Sequence, residues 1–333
     1  MINNNTQTRR RLLKIIGVAS IGAISGTALV KLTKDQALHK VTWKGIALGS
    51  QAEITIYHSN KKEAKNILQD SYKKLSNLEN LFSLYKENSQ LSILNKNGFI
   101  EQPHPDMLDL FNLSQKYAKI TNGAFDITVQ PLWNAYSKAF KENNEPPSKI
   151  EIEEALSLVD WKSIDIKKNI ISYKKPGMLS TLNGIAQGYI TDKISENLIN
   201  LGINNTLVQL GEYRGIGDHP DGRPWRLLLS NPEHTESIGE IEFTNAALAT
   251  SAGLGTPFDL SGNYHHIFDP ENGHSANKQL QVSVLAKTAA EADALATAFL
   301  VLDQENSEKI ASKLKVGFEI LDHNRNRKII TSI

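Results

Sequence analysis

The chain contains no cysteine. That excludes disulfides, thiolate metal sites and a lipidated N-terminal cysteine. It suits an oxidising compartment without demonstrating one. Charge of one sign is also lacking: 37 Lys and Arg face 36 Asp and Glu, a net +1. Four of the basic groups and none of the acidic ones fall in residues 1–30, so the rest of the chain stands at −3. No polyanion affinity follows, and nucleic acid is excluded as an expected partner. Internal repeats and low-complexity tracts are missing too. The charge-free run Ile15–Val30 holds sixteen residues, short of the ~20 that a spanning helix needs.

What is present describes an ordinary soluble globular protein: 333 residues, 40% apolar and 22% charged, enough for a large core in one to three domains. Residues 1–31 stand apart. A basic stretch, Thr8-Arg9-Arg10-Arg11-Leu12-Leu13-Lys14, precedes the short, weakly apolar run, which describes an export signal. The pattern resembles a twin-arginine signal. A convincing cleavage site is missing, so the expectation is a periplasmic protein, with an N-terminal membrane tether left open.

From residue 41 to 333 the periodicities alone give a mixture of helices and strands. Thr42–Tyr57 reads as two strands around Gly49-Ser50, and Lys61–Leu81 as an amphipathic helix. Pro105–Thr121 is a second helix and Ile150–Val159 a short one. Trp161–Ile171 is a strand pair. Leu179–Tyr189 (LSTLNGIAQGY) reads as a Gly-rich strand-to-helix junction, a place to hold phosphates on backbone N–H groups. Tyr264–Phe268 (YHHIF) reads as a strand closed by a turn at Asp269–Gly273, and Gln281–Leu285 as another. Thr288–Leu302 is a helix with a capping box from Thr288 and Glu291. Within it Asp293 and Thr297 lie four apart and leave the same face. A carboxylate and a hydroxyl there suit a hard cation such as Mg2+, with a substrate phosphate completing the shell.

The motifs, in order, resemble the ApbE family, the FAD:protein FMN transferases, over about Trp43–Leu302. They are FSLYKENSQLSILN from Phe82, TNGAFDITVQPL from Thr121, LSTLNGIAQGY, TLVQLGEYRGIG from Thr206, Ala249-Thr250-Ser251, YHHIFDPENG and ADALATAFLV. The resemblance implies a single α/β (α+β) unit of mixed, largely antiparallel sheets with flanking helices and the flavin between two lobes. It implies FAD contacts from Leu48, Tyr85, Ala124, Phe125, Asp126, Thr181, Gln187, His266 and Ile267, and a Mg2+ site of Asp293, Thr297 and the Gly184 carbonyl. His266 is the implied base, with His265 only a neighbour. The implied reaction splits FAD and moves FMN to a Thr or Ser hydroxyl on a target flavoprotein, such as a membrane electron-transfer subunit, releasing AMP. Plain structural roles stand beside these: a hairpin for Gly49-Ser50, a core cap for Tyr85, a capping Asp for Asp126.

Four departures mark this chain. Thr181, Asn183 and Gln187 stand where the family has Asp, Gly and Lys, and the Gly-Gly-Asp turn is one residue shorter, with Glu212-Tyr213. These leave open a flavin carrier or assembly factor without catalysis, and an FAD pyrophosphatase, with water as the acceptor, is a separate alternative. A periplasmic solute-binding protein finds no support in a repeated lobe pattern.

Overall fold

The computed structural model describes residues 38–330; the signal segment read over residues 1–31 lies outside them. Strand β1 (His39–Ala47) turns back as β2 (Ser50–His58). The turn residues are Leu48 and Gly49, at φ +47 and +82, rather than Gly49-Ser50. Two positive φ values in a two-residue loop match the right-handed strand twist. Helix α1 (Lys61–Phe82) follows, capped by Asn60, then α2 (Gln90–Asn97), β3 (Phe99–Glu101) and α3 (Pro105–Ile120). Next come α4 (Gln130–Asn143), α5 (Lys149–Leu156), β4 (Ile164–Lys167) and β5 (Ile170–Tyr173). Helix α6 (Ala186–Asn200) leads to β6 (Thr206–Gln209), β7 (Tyr213–Ile216), β8 (Trp225–Ser230), β9 (Ser237–Phe243) and β10 (Ala247–Ala252). The chain then runs through β11 (Gln281–Ala286), α7 (Ala289–Val301), α8 (Gln304–Leu314), β12 (Gly317–Leu321) and β13 (Arg327–Ile330).

Eight strands form one sheet in the order β1-β2-β6-β7-β10-β11-β12-β13, beside a three-stranded sheet β3-β5-β4 and the hairpin β8-β9. Every pairing is antiparallel. The α+β form of the expected fold, with antiparallel sheets and flanking helices, is what the chain adopts. Among the described residues no helix is long and apolar enough to cross a membrane.

The centre of the molecule is α7. All but two of its residues are buried, and a helix apolar on every side belongs inside a protein. Its alanines, Ala289, Ala290, Ala292, Ala294, Ala296 and Ala298, are small enough to let neighbouring backbones close in. The tightest approach is at Gly188 of α6, where a Cβ would fall 2.3 Å from the Ala289 carbonyl oxygen. Backbone cannot yield as a flexible side chain does. Gly188→Ala is therefore expected to destabilise the protein by ~3 kcal/mol or more through overpacking, read as a fall in the urea midpoint.

Four readings change. Helices α2 and α4 arise where the motifs gave no helix. Leu179–Tyr189 enters α6 from an unpaired coil, not a strand. Tyr264–Phe268 makes only isolated bridges, Pro257–His265 and Phe268–Ser275. Its rings turn into an aromatic cluster instead: Tyr136 lies 5.0 Å from Phe268 and 5.9 Å from Phe258. Half of the capping box forms. Thr288 accepts the Glu291 N–H at 3.2 Å, while the Glu291 carboxylate turns to Tyr117 and the Lys287 N–H.

Candidate active site

Asp293 is the one carboxylate in the fully buried run of α7, 5% exposed. One of its oxygens accepts the Gly188 N–H at 3.0 Å. That N–H is thereby diverted from the Gly184 carbonyl one turn back, which accepts no other backbone bond among the described residues. Thr297 is half-buried one turn along, its hydroxyl 3.5 Å from that of Ser251. A Cβ on Gly184 would sit 3.0 Å from the Thr297 hydroxyl and 3.4 Å from the Phe125 ring. The junction of α6 and α7 thus brings together Gly184, Asp293 and Thr297, three residues spread over 113 positions, with Phe125 beside them.

The electrostatics of this junction are unbalanced. Burial, with the nearby Asp192 charge, pushes the Asp293 carboxyl up to about 7. Glu212, in the turn between β6 and β7, is also buried. Burial and the Asp293 carboxylate together raise its proton affinity well above normal, against the Thr250 N–H that favours its charge. The nearby guanidinium, Arg214, is already paired with Asp192. Two buried carboxylates with no cation of their own are costly. A free carboxylate oxygen, an alcohol and a carbonyl are hard donors that fit a divalent cation with open positions for phosphate oxygens. No cluster of three or more His, Asp or Glu side chains that could hold a metal occurs among the described residues, so such a cation would lean on substrate oxygens.

The other site residues fall as follows. Tyr85 is 84% exposed, so its ring is free to stack and caps no core. Leu48 occupies the left-handed region at the hairpin tip, its N–H bonded to the Glu79 carboxylate. Strain of about 1–2 kcal/mol held in place by a side-chain partner is typical of ligand-binding turns. Gln187 donates to the Ser50 hydroxyl at 3.1 Å, which ties the α6 entry to the same hairpin. Thr181 is locked in a local turn, accepting the Asn183 N–H at 3.3 Å. Asp126 takes the capping role: its carboxylate accepts the Thr128 N–H and hydroxyl at 2.7 and 2.6 Å and the Trp161 N–H at 3.1 Å. Ala124 and Ile267 are buried.

The two histidines separate cleanly. His265 is 3% exposed, bonded through Nε2 to the Ala276 carbonyl at 2.9 Å and through Nδ1 to the Ile267 N–H at 3.3 Å. Both nitrogens are satisfied, so it is structural. His266 keeps a sealed Nδ1 with no partner among the described residues. Burial, with His265 adding to it, pushes its pKa down to about 4, so the ring is neutral at physiological pH. Sequence reasoning missed Asp192, which accepts the Ala289 and Ala290 N–H groups at 2.8 and 2.9 Å. Its signal was a charged residue four positions from Gly188, on the buried face of α6.

Solved structures with this architecture set the class. The flavin transferase ApbE of Vibrio cholerae superposes with a TM-score of 0.78 at 24% identity, over 89% of this chain and 98% of that one. The ApbE protein of Thermotoga maritima gives 0.78 at 26% identity, over 88% and 97%. A family model described as the ApbE family matches residues 48–321, and the chain belongs to that family. A curated FAD:protein FMN transferase of Haemophilus influenzae is 28% identical over 87% of this chain and 90% of its own length. One of Vibrio cholerae is 27% identical over 89% and 90%.

Proposed function

We propose that the chain is an FAD:protein FMN transferase, an enzyme that moves FMN from FAD to a Thr or Ser hydroxyl of a target flavoprotein and releases AMP. The curated relatives carry that name. The observation that carries the reading is the meeting of Gly184, Asp293 and Thr297 where α6 enters against α7.

Those three residues would hold Mg2+, which when bound supplies charge neutralisation at the pyrophosphate oxygens. The chain's own groups do the rest. The exposed Tyr85 ring offers a stacking face, and the strained Leu48-Gly49 turn presents backbone to the nucleotide. The acceptor oxygen bonds to the FMN phosphorus as the bond from that phosphorus to the AMP phosphate breaks. The hydroxyl proton passes to the neutral ring of His266, whose basicity rises once phosphate charge lies nearby. Alignment supplies much of the rate in such a transfer. Export by the twin-arginine route, with the acceptor on a membrane electron-transfer subunit outside the cytoplasm, belongs to the same proposal and is supported by the Thr8–Lys14 pattern.

The test is incubation with FAD, Mg2+ and an acceptor flavoprotein domain, read as covalent flavin fluorescence on a denaturing gel. AMP in equal amount is expected. AMP formed at the same rate without acceptor would instead make the protein a pyrophosphatase. FAD bound tightly with no AMP would make it a carrier.

Tyr85→Ala is expected to weaken FAD binding by about 5- to 10-fold, the loss of an aromatic stack worth ~1 kcal/mol. Its melting temperature should not move, since the ring packs on nothing. Titration calorimetry alongside a thermal melt checks both.

A further inference from the structure

Glu212 is the residue that the reaction above leaves unused. It sits in the shortened turn Leu210–Glu212, whose Gly211 (φ +101) presses on Gln187: a Cβ there would fall 2.6 Å from the Gln187 amide carbon. Gln187 immediately precedes Gly188, the residue that holds Asp293 by its N–H. The turn is thus pinned against the segment that orients the cation-site carboxylate. On its other side Thr250 offers Glu212 a backbone N–H, and the next residue, Ser251, reaches the Thr297 hydroxyl. Glu212 is therefore bracketed on both flanks by the neighbours of Asp293 and Thr297. It is 8% exposed and pairs with no Lys or Arg among the described residues, since Arg214 is committed to Asp192. It also lines a narrow pocket with Ser50, Gln209 and Thr250.

We propose that Glu212 is a second anionic ligand of the cation site, which lets this chain load its divalent cation before any nucleotide arrives. The inference rests on the reading of Gly184, Asp293 and Thr297 as that site. With one carboxylate the site would depend on substrate phosphate to reach useful affinity. With two it has the charge to hold the ion alone, since ligand charge count sets affinity for hard cations. The same carboxylate would repel a pyrophosphate that arrives first, so the order becomes cation, then FAD.

Mn2+ binding to the full chain without FAD, followed by calorimetry and by the loss of the free-ion electron paramagnetic resonance signal, tests this. Glu212→Gln keeps shape and volume and is expected to weaken Mn2+ about 10-fold or more, a loss that shrinks when FAD is added. Asp293→Asn should lose Mn2+ binding altogether. If Asp293→Asn loses the ion while Glu212→Gln binds within about twofold of the parent, the second ligand is refuted and the site stands. If both bind as the parent does, the cation site itself is wrong and the proposal falls with it.

Discussion

Asp293→Asn is expected to lower Mg2+-dependent flavin transfer by about three orders of magnitude or more, with the fold intact. The amide is isosteric and its oxygen keeps the Gly188 N–H bond, 3.0 Å in the parent. What disappears is a charge in a place that disfavours charge. Burial lifts the Asp293 carboxyl from its ordinary value to about 7. The folded protein therefore holds this proton more tightly than the unfolded chain. The stability that the proton provides is whole below about pH 4 and is lost as pH rises through about 7. His266 works in the opposite sense. Its pKa is depressed to about 4, so the neutral ring's contribution is present above about pH 6.5 and lost on acidification. The two nearly offset one another in a melt of the parent protein between those limits, but the variant separates them. Without metal, Asp293→Asn should match the parent at pH 4. It should become more stable by on the order of 2–4 kcal/mol at pH 8–9. Mg2+ should raise the parent's melting temperature at pH 8 and leave the variant's unchanged. A variant that turns over normally, or one that melts lower than the parent at pH 8, would remove Asp293 from the cation site.

That proposed site was half legible in the sequence, and the reason is geometric. Asp293 and Thr297 share one helix, and helical spacing alone places them on one face. Gly184 joined them only through family resemblance, because nothing local reports that a carbonyl 109 positions away has been relieved of its own helical bond. Long periodic elements were equally plain: α1, α7 and β11 came within two residues at each end. Short or irregular segments were not. YHHIF has the composition of a strand, yet its rings earn more burial in the cluster around Tyr136 and Phe258 than a ladder would give. Asp126 shows how one residue answers two readings. Its motif suggests a ligand contact, and its buried carboxylate also has a local demand for hydrogen bonds, which Thr128 and Trp161 meet. Glu212 was visible only as a departure from a pattern; the contacts of its turn come from α6 and β10.

The second large effect concerns what keeps α7 in place. Asp192 reaches from α6 to cap the α7 N-terminus, taking the Ala289 and Ala290 N–H groups, and is paired with Arg214 of β7. Its residue is 7% exposed. Burial raises its proton affinity even with Arg214 and two N–H groups opposing that rise, so the carboxylate tolerates the interior only because these partners are all present. Arg214→Ala is expected to cost about 3–5 kcal/mol, the penalty of leaving a buried charge unpaired. Asp192→Asn keeps one acceptor for the α7 amides and leaves a half-buried guanidinium that can turn toward water, so it should cost only about 1–2 kcal/mol. The double variant should then be more stable than Arg214→Ala alone by about 1–3 kcal/mol, because neutralising the carboxylate removes what Arg214 was there to balance. Urea unfolding of the four proteins closes this cycle. Additive losses would mean that the pair is not coupled and that α7 is held by packing alone. A coupled result would mean that the helix carrying Asp293 is positioned by charge as well as by its alanines, one turn from the site it serves.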